Sequence, residues 1–361
     1  MPATAEDLVE RLLEHCSHVC VTGGEGPIAD AVVARYEPLG EEVERVGHSV
    51  VVGRAGGERP LVLLVGHLDV VPPTDDDREP RVGTLDGTDV VIARGASDMK
   101  AGNVVAMACF EDAELRASSP YDLALVLYAG EEGPDEGNEL ADVLETVPWL
   151  RDAALAVILE PTDGEVQAGC LGGLHATLTF EGTQAHSARP WHGENALTKA
   201  GAFLAQLHEL APREVEVDGI TYRDVWSATQ ASTDNARNVI PGRFTVNLNF
   251  RFAPSRTLDE AEQELRDLVG DRAAVEIVDR APPAPPSLGT PVLEAFVTAV
   301  DAPLAGKQAW TDVARFAQLG VPAVNYGPGL TSQAHQRGEY VPVAALEAAY
   351  HQLHRFLTRT T

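Results

Sequence analysis

The sequence predicts an α/β fold in two parts. One is a domain on a mixed, mainly parallel sheet flanked by helices. The other is an inserted α+β layer of the split βαβ, ferredoxin-like kind. Three observations carry that expectation. Continuous apolar runs at 61–65, 123–128 and 154–159 read as strands buried on both faces, as in a parallel sheet covered by helices. Beyond about Cys170 the texture changes to apolar–polar alternation, at 174–180 and again at 245–252, which half-exposed antiparallel strands require. The proline-rich stretch Ala281-Pro-Pro-Ala-Pro-Pro-Ser287 then marks a stiff return to the first part. The expected boundaries are 1–172 with 288–361 for the discontinuous domain, and 173–287 for the insertion.

In chain order, a helix is expected at 6–15, and the turn cluster Gly23-Gly-Glu-Gly-Pro27 opens another at 28–36. A strand at 49–52 precedes the first buried strand at 61–65. A helix of small residues follows Lys100, over 102–114, and the strands at 123–128 and 154–159 complete this part. In the insertion, a strand at 174–180, a helix at 196–210, a strand at 245–252, a helix at 258–269 and a strand at 275–278 supply five of the six elements of a strand–helix–strand–strand–helix–strand order.

At 361 residues the chain accommodates two full cores, and 44% hydrophobic with 23% charged residues is ordinary for a globular protein. No apolar run approaches bilayer length, and Met1-Pro-Ala-Thr-Ala-Glu-Asp-Leu8 has neither the basic flank nor the apolar core of a secretory signal, so the cytoplasm is the expected compartment. A net charge of −28 repels polyanions and argues against nucleic acid and anionic membrane as partners. Lys100, Lys199 and Lys307 are the only lysines, so an anionic substrate must be drawn by a few local arginines. Cys16, Cys20, Cys109 and Cys170 lack zinc-ribbon spacing and read as free thiols, the first two sharing a face of the first helix.

Five side chains suited to metal ligation are spread over most of the chain. They are His67 in Gly-His-Leu-Asp69, Asp98 in Gly-Ala-Ser-Asp-Met-Lys100, Glu132 in Gly-Glu-Glu-Gly, Glu160 in Ile-Leu-Glu-Pro161, and His335 in Gln-Ala-His-Gln. Imidazoles mixed with carboxylates suit zinc, manganese or cobalt, and a carboxylate such as Asp98 can bridge two ions that together activate water and polarise a carbonyl. The pattern of an apolar run followed by a polar ligand places these groups at carboxyl ends of sheet strands, where open α/β sheets gather their sites. Asp69 is expected to take the second ring proton of His67 and so fix its tautomer. Of the Glu131-Glu132 pair, Glu132 is expected to bind metal and Glu131 to act as general base. Taken singly, each residue also admits a plainer reading. His67 can simply close a strand, Asp98 can cap the following helix, Glu131-Glu132 can belong to a solvated acidic loop, and His335 can be a surface histidine.

Together these motifs resemble the zinc-dependent amidohydrolase and exopeptidase family, peptidase family M20, which includes aminoacylases, acetylornithine deacetylase, carboxypeptidases and succinyl-diaminopimelate desuccinylases. The resemblance spans nearly the whole chain. It implies two zinc ions bridged by Asp98, one also held by His67 and Glu160, the other by Glu132 and His335. The insertion looks like the family's lid and dimerisation domain. His186, in Gly182-Thr-Gln-Ala-His-Ser187, matches the histidine that reaches into the partner subunit's site in family homodimers and steadies the oxyanion. Asn238 and Arg251 match substrate-contacting positions, with Arg251 the expected carboxylate clamp.

The stretches Ala185-His-Ser-Ala-Arg189, Trp310-Thr-Asp-Val-Ala-Arg-Phe316 and Asn325-Tyr-Gly-Pro-Gly329 look most like the actinobacterial desuccinylase branch. That adds Arg189, Thr311 and Asp312 as expected contacts of an anionic acyl-amino-acid. Three departures stand out. Ala101 follows Asp-Met-Lys where the family has glycine, Trp310-Thr311-Asp312 replaces a Gly-Thr-Ser-Asp loop, and Gly169-Cys-Leu-Gly-Gly173 lacks an arginine and serine found in proteobacterial desuccinylases. Related deacylases and exopeptidases share the same metal core. A dinuclear phosphoesterase would need more positive charge, and a non-enzymatic metal-binding scaffold would need neither Glu131 nor Asp69.

Overall fold

Four parallel strands, Asp122–Tyr128, Leu61–His67, Leu155–Ile158 and Ala323–Asn325, form the centre of an eight-stranded sheet in the computed structural model, which describes residues 2–54 and 56–359. Val43–Val46 and Ser49–Val52 extend it antiparallel beyond Asp122–Tyr128. Val166–Ala168 pairs antiparallel with Ala323–Asn325 on the other side, and Leu304–Gly306 forms the far edge. Every residue of Leu61–His67 after Leu61 is buried, which is why the run reads as apolar without alternation.

Helices cover this sheet. Ala101–Glu111 is buried from Ala101 through Phe110, so its small residues let it lie close against its neighbours. At Gly102 a Cβ would sit 2.3 Å from the Leu159 carbonyl oxygen, so the close approach requires glycine at that position rather than at Ala101. The single helix expected over 102–114 is two. It stops at Glu111 because Asp112 leaves helical geometry, and its carboxylate accepts the N–H groups of Glu114 and Leu115 to cap Ala113–Ser118. Val343–Thr358 buries Leu346, Tyr350, Leu353 and Phe356 and packs on Ala101–Glu111. No helix among the described residues is long and apolar enough to cross a membrane.

The chain divides into two compact units. One comprises the chain up to Ala168, Ser287–Ala305 and the chain from Arg315 onward; the other comprises Gly169–Pro286 and Gly306–Ala314. The second unit holds an antiparallel sheet in the order Arg213–Val217, Ile220–Ser232, Arg243–Phe252, Gly172–Glu181, Ala274–Ala281. Its helices, Gly201–Glu209 and Leu258–Val269, bury Phe203, Leu207, Leu265 and Val269 against Leu174, Leu178, Leu248 and Phe250. The four longer strands with these helices are the split βαβ layer, and Arg213–Val217 is an added edge. Gly306–Ala314 is tied to the second unit through the N–H of Leu171, which donates to Ala309 (3.1 Å), and the indole of Trp310, which donates to the Pro282 carbonyl (3.0 Å).

The first helix ends at Ser17, so Cys20 lies beyond it instead of sharing a helical face with Cys16; its thiol donates to the Leu68 carbonyl at 2.7 Å. All four cysteines are free and buried. Burial pushes the Cys16 thiol up to about 12 and the Cys170 thiol up to about 11, and it raises Cys20 and Cys109 as well. A thiol-disulfide reagent at pH 8 is therefore expected to titrate fewer than one thiol in the native protein and all four after unfolding. Rapid native labelling would show that one of these sites opens.

Candidate active site

The sheet delivers four acidic or imidazole groups at the carboxyl ends of its central strands. His67 is the last residue of its strand, Glu131 and Glu132 follow Tyr128 after a short turn, and Glu160 lies two residues past Ile158. In that turn Gly130 adopts φ +82, and a Cβ there would lie 2.0 Å from the Gly137 carbonyl oxygen. Asp98 arrives from the segment Ala96–Lys100, whose Asp98–Met99 peptide is cis. It does not cap the following helix: that helix has no side-chain cap. His335 comes from the loop after Ala323–Asn325 and holds a left-handed backbone at φ +61, an uncommon state for a non-glycine residue.

The two oxygens of Asp98 face two histidines. His67 Nε2 lies 3.2 Å from Asp98 Oδ1, and His335 Nε2 lies 3.8 Å from Asp98 Oδ2. His335 Nε2 is also 2.7 Å from Glu132 Oε2, and Glu131 Oε2 is 3.9 Å from His67 Nε2. Donor atoms of His67, Asp98 and Glu132 all fall within 4.8 Å of one another, so the three side chains converge on one place. Glu160 is buried beside the strand end.

The electrostatics point the same way. Burial acts to lower the pKa of His67, but its hydrogen bond to Asp98 and the fields of Glu131 and Asp69 hold the imidazolium well above its usual range. Burial pushes Glu132 up; His67 and His335 pull it back, while Asp98 and Asp69 repel its charge. A buried group of acids that draws a proton onto its own histidine is one that a divalent cation neutralises more completely. The residues fit a metal centre.

Neighbouring groups hold these side chains in place. The tautomer of His67 is set by the main chain of Asp69, whose carbonyl lies 3.0 Å from Nδ1; the Asp69 carboxylate is further off, at 3.6 Å. That carboxylate instead accepts the N–H groups of Glu131 (3.1 Å) and Glu132 (3.0 Å) and the hydroxyl of Thr22 (2.8 Å), so it fixes the turn that carries the glutamate pair. The Asn103 amide donates to the His67 carbonyl at 2.7 Å. Lys100, fully buried, donates to the carbonyl of His18 at 2.7 Å. Glu339 accepts N–H groups from the Asp98 turn; burial pushes its carboxyl up to about 7 against the pull of those N–H groups. Thr22, Asn103 and Glu339 escape a reading of the sequence because nothing local distinguishes them from ordinary polar loop or helix residues.

In the second unit, His186 sits on a short strand, Ala185–His186, paired with Val239–Ile240, and is exposed. Its Nδ1 accepts the N–H of Ala188 (3.1 Å), so the proton of the neutral ring is on Nε2. The N–H of Arg189 donates to the His186 carbonyl and that of Ser187 to the Asn238 carbonyl, which brings these exposed residues into one loop cluster. Arg251 lies half-buried on Arg243–Phe252, its guanidinium over Gly173, where a Cβ would come within 2.8 Å of Nη1. Thr311 and Asp312 are buried, 3% and 0% exposed, and do not face solvent.

A family model described as peptidase family M20/M25/M40 matches residues 63–359. The chain belongs to that family. It is 37% identical over 332 residues to a succinyl-diaminopimelate desuccinylase of Corynebacterium glutamicum, covering 89% of this chain and 88% of that protein. It is 40% identical over 336 residues to a Mycobacterium tuberculosis protein provisionally named succinyl-diaminopimelate desuccinylase DapE, covering 92% and 93%. Among solved structures, a tripeptidase from Staphylococcus aureus superposes with a TM-score of 0.80 at 17% identity, covering 98% of both chains. A dinuclear metal-binding M20 peptidase from Bacillus subtilis gives 0.70 at 15% identity, covering 98% of this chain and 97% of the other. At such identities these two establish the shared fold of the M20 chain and leave substrate choice to the sequence relatives.

Proposed function

We propose that this M20 chain hydrolyses N-succinyl-L,L-diaminopimelate to succinate and L,L-diaminopimelate, a step of lysine and diaminopimelate biosynthesis in the cytoplasm. The observation that carries the chemistry is Asp98 with one oxygen toward His67 and the other toward His335. The desuccinylase relatives support the substrate. Two zinc ions, or cobalt or manganese in their place, would be held by His67, Asp98, Glu132, Glu160 and His335. When bound they would polarise the amide carbonyl and make water a stronger acid.

The chain's own residues do the rest. Glu131 takes a proton from the attacking water and passes it to the departing amine. Asp69 holds the Glu131 turn by accepting its N–H. His186, with its proton on Nε2, donates to the developing oxyanion. By resemblance we assign the second unit as lid and homodimerisation domain, with His186 acting in the partner's site. We assign Arg251, Arg189 and Asn238 as groups that draw and hold the substrate's carboxylates against a net charge of −28. Thr311 and Asp312, being buried, are assigned to shaping that region.

The test is steady-state hydrolysis of succinylated diaminopimelate beside acetylornithine, N-acyl amino acids and dipeptides, after loading with zinc or manganese. The succinylated substrate is expected to lead in kcat/KM by about 10²-fold or more, as a site that pairs a second carboxylate rejects substrates lacking it. A lead for an acetylated substrate or a dipeptide would replace the substrate while keeping the metal chemistry. Turnover of phosphate esters instead would replace both.

A further inference from the structure

We propose that Glu339 is a positioning residue that clips the loop carrying His335 to the turn carrying Asp98, and thereby sets the cation affinity of the centre. The inference rests on the reading of Asp98 and His335 as cation ligands. Glu339 is 1% exposed. Its Oε1 accepts the N–H groups of Ser97 (2.8 Å) and Asp98 (2.9 Å), and its Oε2 accepts the N–H of Gly95 (2.9 Å) and the Arg94 guanidinium (2.9 Å). Arg94 reaches on to Asp77 Oδ2 (3.1 Å), and Asp77 in turn accepts the N–H of Gly338 (2.8 Å). A second clip lies at the other end of the loop. The Ser97 hydroxyl accepts the N–H of Leu330 (3.1 Å) and donates to the Tyr340 carbonyl (2.7 Å).

His335 therefore lies on a loop fastened at Leu330 and at Gly338–Tyr340, both times to the segment that presents Asp98. The fastening matters because the His335 side chain is 57% exposed and has no packed core to orient it. A donor held in advance binds a cation with less ordering entropy to lose, and groups that orient ligands commonly set affinity by 10–100-fold. In Glu339→Gln one of the two oxygens becomes an NH2 that confronts N–H donors instead of accepting them. The charge opposite Arg94 is also lost.

The test measures the zinc dissociation constant of wild type, Glu339→Gln and Ser97→Ala by competition with a chromophoric chelator, alongside far-UV circular dichroism of the metal-free proteins. Glu339→Gln is expected to fold and to bind zinc about 10–100-fold more weakly, with kcat recovering to within a few-fold of wild type at saturating zinc. Affinity within two-fold of wild type in folded Glu339→Gln would overturn the proposal. Should that variant fail to fold, Ser97→Ala decides: affinity weakened several-fold supports the clip, and unchanged affinity overturns it. If wild type binds no zinc, or Asp98→Ala binds it equally well, the cation reading itself fails, an outcome separate from an effect confined to Glu339.

Discussion

Glu131→Gln is expected to lower kcat by ~10²–10⁴-fold, the usual contribution of a general base, while leaving metal content unchanged. The amide keeps the shape of the carboxylate but accepts no proton at neutral pH. Cation binding survives because the grouped donors come from His67, Asp98 and Glu132. The turn also survives, since its anchor is the backbone N–H of residue 131 on Asp69 and not the side chain. KM should change little compared with kcat. Activity near wild type would remove Glu131 from the mechanism. The same variant serves to test His186. If that histidine acts in the partner's site, mixing Glu131→Gln with His186→Ala subunits should restore part of the activity through heterodimers, and verified heterodimers without recovery would place His186 outside the chemistry.

Asp98→Ala is expected to have the larger effect, because it removes the group shared by both histidines. Metal content should fall from two ions to fewer than one, and activity by at least ~10³-fold. The thermal signature differs from that of an ordinary core mutation. Removing Asp98 relieves repulsion on Glu132 but also breaks the buried contact with His67, so the Tm of the metal-free variant serves as the baseline. The zinc-induced rise in Tm, worth about 2.7 kcal/mol at a hundredfold excess over Kd, should disappear. Scanning calorimetry with and without zinc reads both. An Asp98→Ala protein that keeps its zinc-induced stabilisation would show that the ions bind elsewhere.

Three of the four central strands were legible because burial on both faces leaves no room for polar residues until the strand ends, so Leu61–His67 and Asp122–Tyr128 announce where their ligands stand; the fourth, Ala323–Asn325, is too short to show such a run. The second unit was legible through alternation in Gly172–Glu181 and Arg243–Phe252. Two hairpins were missed. In each, an Asp-Gly turn with positive φ, Asp86-Gly87 and Asp218-Gly219, joins its strands, a signal present in the sequence. Arg81–Leu85 and Arg213–Val217 are so exposed that hydrophobic pattern does not mark them as strands.

At the site, the positions of His67, Asp98 and Glu132 follow from strand ends and local motif, but that of His335 does not. Its place depends on a loop whose fastenings, Ser97 and Glu339, lie far off in sequence or carry no local signature. The choice between the carbonyl and the carboxylate of Asp69 as partner for His67 is likewise decided by the chain's path past Glu131 and not by residue type.

The most direct measurement is anomalous diffraction from crystals of the wild-type protein equilibrated with zinc. Two peaks are predicted, one on each side of the Asp98 carboxylate, the first against His67 and the second against Glu132 and His335. Peaks remote from Asp98, or density that leaves His335 and Glu132 without a shared ion, would contradict the account.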